Sequence, residues 1–155
     1  MRLYTSANFL KYVDGCFYTS GRFHRATRTD NYIVDLPNRP LLECIQAGIN
    51  PDRRSQGFPP IALERTGVTG LQHIIGTVSM ARVRSGHGHL GLLHPVERSA
   101  VARLGGKRFD DGEGEAVFGR VVAGMPVVQH IRRRPTNGQS LSPPVTFVSA
   151  KRETP

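Results

Sequence analysis

Three histidines in the second half of the chain are the first residues that could do chemistry together. His87, His89 and His94 form an H-x-H-x4-H pattern, and two imidazoles two residues apart on a strand can share a metal ion. Glu97 is the nearest carboxylate, but no fourth ligand is evident. We therefore predict no metal site and no cofactor.

The two cysteines, Cys16 and Cys44, form no CxxC pair and fit no zinc spacing. We expect free thiols in a reducing compartment, and a disulfide between them stays open as the alternative. The first eight residues lack the apolar core of a signal peptide. The expected location is the cytoplasm, or the periplasm if a leader is missing.

The charge and length of the chain limit which other classes of function are plausible. The 155 residues are the size of one domain, and the net charge of +9 comes from 18 arginines and 3 lysines against 12 acidic residues. A basic nucleic-acid-binding domain is one alternative, but the charges are scattered. The one run, Arg132–Arg134, has no aromatic ladder beside it. No apolar stretch approaches the roughly 18 residues of a membrane span, so we predict no membrane partner.

Helical spacing of apolar residues predicts two short helices that could position a site. The first runs from a cap at Thr5 or Ser6 to about Val13. The second begins near Pro126, and the run Arg132–Arg134 ends it with charges that suit the helix dipole.

Alternating or compact apolar runs predict short strands elsewhere in the chain, at 16–18, 22–24, 41–46, 74–83, 116–122 and 145–150. Polar and turn-rich segments predict loops over 27–40 and 52–60. Many short strands with two helices predict a mostly β protein, a barrel or sandwich with helical lids.

Several short strings stand in a characteristic order: NFLKYVDG at 8–15, FY at 17–18, RFHR at 22–25, IQAG at 45–48, LERT at 63–66, GTVSMAR at 76–82, AVFGRVV at 116–122, GM at 124–125 and PV at 144–145. This ordered set, over roughly 8–84 and 105–150, resembles the cyclophilin-type peptidyl-prolyl cis-trans isomerases. The resemblance implies a cyclophilin-like antiparallel β-barrel with two short helices, as a single domain over 1–155.

The reaction of that family rotates an Xaa-Pro peptide bond and breaks no covalent bond. Amide resonance sets the barrier at about 18–20 kcal/mol, and a fixed cation near the proline nitrogen stabilises the twisted bond more than the planar one. The resemblance implies that Arg25 is this cation and that Gln46 braces it and binds the substrate backbone. His24 fits a packed structural role, because the reaction needs no acid or base.

The substrate side of the site follows from the same resemblance. Phe23, Ala81 and Arg82 are the implied contacts of a proline-containing peptide or unfolded protein, although Phe23 also fits a core position. The expected activity is acceleration of Xaa-Pro isomerisation in protein folding.

Two departures from the family pattern predict an impaired activity. The family has two strands before the first helix, whereas here the helix begins almost at Met1, so we expect an incomplete barrel with exposed edges. Over 85–104 the chain also lacks the Ser-x-Phe-Phe-Ile strand whose second Phe forms the floor of the proline pocket. In addition, Glu115 stands where an aromatic residue or His is usual, and would partly neutralise Arg25 at close range.

The divergent segment has a simple explanation at the level of codons. Codons for His89 to Pro95, read one base out of frame, can encode Thr-Ser-Asp-Phe-Phe-Ile, and those for Glu97 to Leu104 can encode Ser-Asp-Gln-Pro-Ser-Leu-Asp. We interpret 85–104 as a compensated frameshift, in the gene or in its sequencing, which the DNA sequence would test. A chain without the pocket floor could instead be a non-catalytic module that binds proline-containing peptides.

Overall fold

The computed structural model describes residues 4–31, 42–83, 87–95 and 114–153. The helices are α1 (Tyr4–Asp14), α2 (Thr66–Thr69) and α3 (Met125–Arg132). Two 3-10 turns cover Thr29–Asn31 and Pro51–Gln56. The strands are β1 (Arg22–Thr27), β2 (Cys44–Gly48), β3 (Thr77–Val83), β4 (His87–Pro95), β5 (Ala116–Arg120), β6 (Thr136–Asn137) and β7 (Ser140–Thr146).

The seven strands form one sheet in the order β5-β3-β4-β2-β1-β7-β6, and every neighbouring pair is antiparallel. Within the described ranges this sheet is open, with β5 at one end and β6 at the other. The mostly β, antiparallel architecture is thus confirmed, as is the prediction that the barrel is incomplete. β4, from the divergent segment, occupies the middle of the sheet between β3 and β2.

Helix α1 covers one core, which is rich in aromatic side chains. Its buried members are Tyr12, Val13, Phe17, Tyr18 and Ile49. The ring of Phe9 lies 5.2 Å from that of Phe118 on β5, so the helix packs against that end of the sheet. The helix begins at Tyr4, and the Glu64 carboxylate accepts the backbone N–H of Tyr4 (2.9 Å) and of Thr5 (2.7 Å). The predicted cap at Thr5 or Ser6 is therefore wrong.

Helix α3 covers a second core on β1, β2 and β7, where the buried residues are Ala26, Ile45, Ile131 and Leu141. The predicted helix is confirmed, with Arg132 in its last turn. That arginine forms an ion pair of 2.7 Å with the mostly buried Glu43. Arg28 donates to the carbonyls of Arg132 (2.8 Å) and Arg134 (3.3 Å), so it satisfies acceptors that a helix end leaves open.

Two predicted strands differ from the structure. Cys16–Tyr18 is a turn after α1, because Phe17 and Tyr18 are buried in the α1 core and a positive φ at Cys16 reverses the chain. The last strand runs over Ser140–Thr146, not 145–150. Its two prolines, Pro143 and Pro144, lie where the β1–β7 register is interrupted, so they cost no ladder hydrogen bond.

Smaller differences concern the ends of elements. Strand β2 begins at Cys44, and β3 begins at Thr77 after a turn. The four-residue α2 was not predicted. Residues 32–40 of the predicted loop over 27–40, and residues 85–86 and 96–104 of the segment in the frameshift hypothesis, lie outside the described residues. No helix in the described ranges is long and apolar enough to cross a membrane.

Candidate active site

The site is built where β1 changes its register against β2. Arg25 lies directly opposite Gln46, and the pairing shifts between Phe23 and Arg25, as at a β-bulge. Side chains that face each other across an antiparallel pair lie on one side of the sheet. This local irregularity therefore sets the two predicted catalytic residues side by side.

Hydrogen bonds to two glutamines of the described chain hold the half-buried guanidinium of Arg25. Its Nη1 donates to Oε1 of Gln46 at 3.2 Å, as the resemblance implied. Its Nε donates to Oε1 of Gln139 at 3.0 Å, and its Nη2 donates to the same oxygen. A guanidinium keeps its charge at any ordinary pH and has a rigid fork of donors. The arrangement fixes a positive charge at one orientation on the surface of the sheet.

Gln139 is the residue of this site that the sequence reasoning missed. It is the second residue of the two-residue loop Gly138-Gln139, which joins β6 to β7, and Gly138 has a φ of 56°. An Asn-Gly pair between two short extended runs is a known signal of such a hairpin. The signal could have located the turn, but it could not have shown that the turn faces Arg25.

The predicted substrate contacts Phe23 and Ala81 lie near the pair in different ways. Phe23 packs against the α3 core and lies 5.5 Å from the Phe147 ring, edge to face. Ala81 is 7% exposed and packs with Leu42 and Cys44. Cys44 is two residues before Gln46 on β2, so both side chains point to the same side of the sheet. Contact of Phe23 or Ala81 with a substrate stays a prediction.

The divergent strand β4 lies beside β2, the strand that carries Gln46. Its Leu93 pairs directly with Gln46, and its Leu92 pairs with Ala47. Under the frameshift hypothesis, the second Phe of the family string would fall on Leu93, the backbone partner of Gln46. The predicted contact Arg82 lies on β3, where its backbone pairs with Gly88 of β4.

His24 lies in the irregular stretch beside Arg25 and is half-buried. Burial is the main cause that lowers the pKa of this imidazole, and a backbone hydrogen bond at Arg22 opposes it. The positive charges of nearby arginines lower it further, those of Arg54, Arg25 and Arg22. A neutral His24 at pH 7 fits the packed structural role predicted for it.

The other candidate groups lie on different elements from Arg25. Glu115 is buried just before β5, and three strands stand between β5 and β1 in the sheet order. Cys16 is exposed and Cys44 is buried, and both are thiols that form no disulfide, as predicted. His87, His89 and His94 belong to β4. In the part of the chain that the structure describes, no three His, Cys, Asp or Glu residues come together as a metal site.

Comparison with known proteins agrees with this fold. The sequence model of the family "Cyclophilin type peptidyl-prolyl cis-trans isomerase/CLD" matches residues 4–152. Among solved structures, the chain is similar to a cyclophilin-type peptidyl-prolyl cis-trans isomerase of Cryptosporidium parvum, crystallised with the dipeptide Ala-Pro. That likeness has a TM-score of 0.61 at 14% identity, and it covers 97% of this chain and 85% of the other. The chain belongs to the cyclophilin-type peptidyl-prolyl cis-trans isomerases.

Proposed function

We propose that the isomerase reaction of this family is carried out here by Arg25, with Gln46 as its partner. The observation that carries the proposal is the guanidinium of Arg25, held on two sides by the amide oxygens of Gln46 and Gln139. An arginine on an ordinary exposed strand surface would sample many rotamers. Here the side chain is already oriented before a substrate arrives, which lowers the cost of reaching the transition state.

The chemistry follows from what a twisted peptide bond needs. Rotation breaks the amide resonance, and the proline nitrogen becomes pyramidal and regains its lone pair. An N–H of Arg25 can donate to that lone pair only when the bond is twisted. The interaction is therefore stronger in the transition state than in either planar isomer, which is the condition for catalysis. No nucleophile and no proton transfer is required.

The site should bind the proline ring less tightly than a pocket that contains the family's aromatic residue. Leu93 is the backbone partner of Gln46 at the position of the family's pocket Phe. A leucine offers less surface than an aromatic ring, and it lacks the flat face on which a proline ring can pack. We therefore expect turnover from bound substrate with a raised KM, relative to a chain that carries Phe at 93.

The substrates we propose are proline-containing segments of unfolded proteins. The neighbour from Cryptosporidium parvum was crystallised with Ala-Pro, which supports a short Xaa-Pro unit as the recognised group. We further propose the cytoplasm as the compartment, because an exposed free cysteine such as Cys16 persists in reducing surroundings.

The test is catalysed cis/trans exchange in a short peptide with one Ala-Pro bond, followed by NMR exchange spectroscopy. Arg25→Ala removes the cationic donor and should lower the catalysed rate by about 100-fold or more, the size seen when one such donor is lost. Arg22→Ala is the matched control, because Arg22 is an exposed arginine on the same strand. It should leave the rate within twofold.

Two outcomes would contradict the proposal. Folded wild-type protein that produces no exchange would favour the second candidate, a module that binds proline-containing peptides without turning them over. Peptide titration, read from chemical shifts, would reveal that binding. Equal rates for Arg25→Ala and wild type would instead leave the catalysis to another residue.

A further inference from the structure

We propose that Gln139 is a positioning residue for the reaction, which sets the orientation of the Arg25 guanidinium together with Gln46. The inference rests on the proposed function and extends it to a residue on a different part of the chain. Gln139 lies 114 residues from Arg25 in sequence, yet its side-chain oxygen accepts from both Nε and Nη2 of that arginine.

The two glutamines bind different edges of the guanidinium. Gln139 accepts from the edge formed by Nε and Nη2, whereas Gln46 accepts from Nη1. One of these acceptors alone holds only one edge of the planar group. Acceptors on two different edges resist rotation of the last side-chain bonds, so the group keeps one plane. Gln139 thereby supplies the constraint that Gln46 lacks.

The backbone at Gln139 is itself anchored beside Arg25. The carbonyl of Gln139 accepts the backbone N–H of Ala26 at 3.0 Å, and Ser140 pairs directly with Arg25. At the start of the hairpin, the Thr136 hydroxyl accepts from Arg28 Nη2 at 3.2 Å and from Asn31 Nδ2 at 3.2 Å. The half-buried Gln139 therefore projects from a hairpin that is bonded on one side to β1 and on the other to the segment that follows β1.

The chemical type of the residue matters as well. An amide oxygen carries only a partial charge, so it orients Arg25 without cancelling the positive charge that the transition state uses. A carboxylate at the same position would hold the arginine at least as firmly, but it would reduce the field at the proline nitrogen. Orientation and charge can therefore be separated by substitution at this one residue.

The experiment compares Gln139→Leu with Gln139→Glu, and uses Gln129→Leu on the exposed face of α3 as the matched control. One readout is the 15N–1H signal of the Arg25 Nε–H, assigned through its loss in Arg25→Lys. The other is catalysed exchange of the Ala-Pro peptide. If Gln139→Leu fails to fold, Gln139→Ala removes the same acceptor and takes its place.

We expect Gln139→Leu to shift the Nε–H signal upfield, to speed its exchange with water, and to lower kcat about tenfold, the value of a hydrogen bond to a charged group. Gln139→Glu should keep the Nε–H signal protected and still lower kcat. Gln129→Leu should change neither readout. An Nε–H signal that is the same in wild type and Gln139→Leu would overturn the proposal, as would a shifted signal with kcat within twofold of wild type.

The two readouts separate this proposal from the proposed function. A wild type without catalysed exchange would refute the isomerase mechanism, and the positioning role for the reaction would fall with it. The Nε–H signal would then still report whether Gln139 holds Arg25. An active wild type with an Nε–H signal indifferent to Gln139 would refute the positioning role alone.

Discussion

Two sides of the site differ in how closely they keep what an isomerase needs. On the donor side, formed by Arg25, Gln46 and Gln139, the guanidinium is held by side-chain oxygens from two elements. On the grip side, formed by Ala81 and the strand β4, the backbone pairs with both neighbouring strands, with one register shift against β3, but the aromatic residue of the family is absent.

A sheet can keep its backbone pairing while the chemistry of its side chains changes. Backbone hydrogen bonds between strands do not depend on the identity of the side chains, so β4 pairs with both β2 and β3 despite its divergent sequence. Orientation of an arginine, in contrast, depends on particular acceptors. The donor side should therefore govern turnover, and the grip side should govern affinity.

The largest expected effect on this contrast comes from Arg25→Lys. Lysine keeps the charge but loses the planar fork, so it cannot donate to Gln46 and Gln139 in the same way. We expect kcat to fall by about 10- to 100-fold with a small change in KM. Progress curves of peptide isomerisation measure both constants. A change confined to KM would mean that Arg25 acts in binding, and the division into two sides would fail.

Leu93→Phe tests the grip side. An aromatic ring opposite Gln46 should restore apolar surface for the proline ring and lower KM by about tenfold, in line with the burial of a side chain of this size. The donor side is unchanged, so kcat should stay within a few-fold. Leu71→Phe, on an exposed segment, is the control. An unchanged KM in Leu93→Phe would place the pocket elsewhere.

Arg28→Met loosens the support of the donor side without touching Arg25. It removes hydrogen bonds to the carbonyls after α3 and to Thr136 of the hairpin that carries Gln139. We expect the free energy of unfolding to fall by about 1–3 kcal/mol, measured by urea titration. Arg120→Met, on an exposed position of β5, should cost much less. Equal losses of unfolding free energy in the two variants would mean that Arg28 does not support the hairpin.

The smallest effect concerns His24, beside Arg25. Because its pKa is lowered in the folded protein, the unfolded chain binds the proton more readily. The contribution of neutral His24 to the free energy of unfolding should be fully present above the unfolded pKa of about 6.5. It should be lost as the pH drops through and below that value. Melting temperatures at pH 7.5 and 5.0 measure this, and His24→Asn should show a flatter pH dependence. An unaltered dependence in His24→Asn would assign the acid sensitivity to other groups.

Patterns among neighbouring residues predicted the elements that such patterns encode. The apolar face of α3, the alternation along β3 and the ordered family strings are all readable from neighbouring residues. The strings also predicted that Gln46 braces Arg25, and the two side chains are hydrogen-bonded in the structure. The ends of elements were less predictable: the prolines at 143 and 144 concealed β7, because the interruption that accommodates them lies in its pairing with β1.

By itself, the sequence determined the mostly β class, the membership of the cyclophilin-type isomerases and the residue types that the reaction needs. Which groups distant in sequence contact one another could be seen in the tertiary structure alone. The carboxylate that caps α1 comes from Glu64, and the second acceptor for Arg25 comes from Gln139. Such contacts join residues about 60 and 114 positions apart. Their partners are selected by the register and curvature of a whole sheet, which no local window of sequence contains.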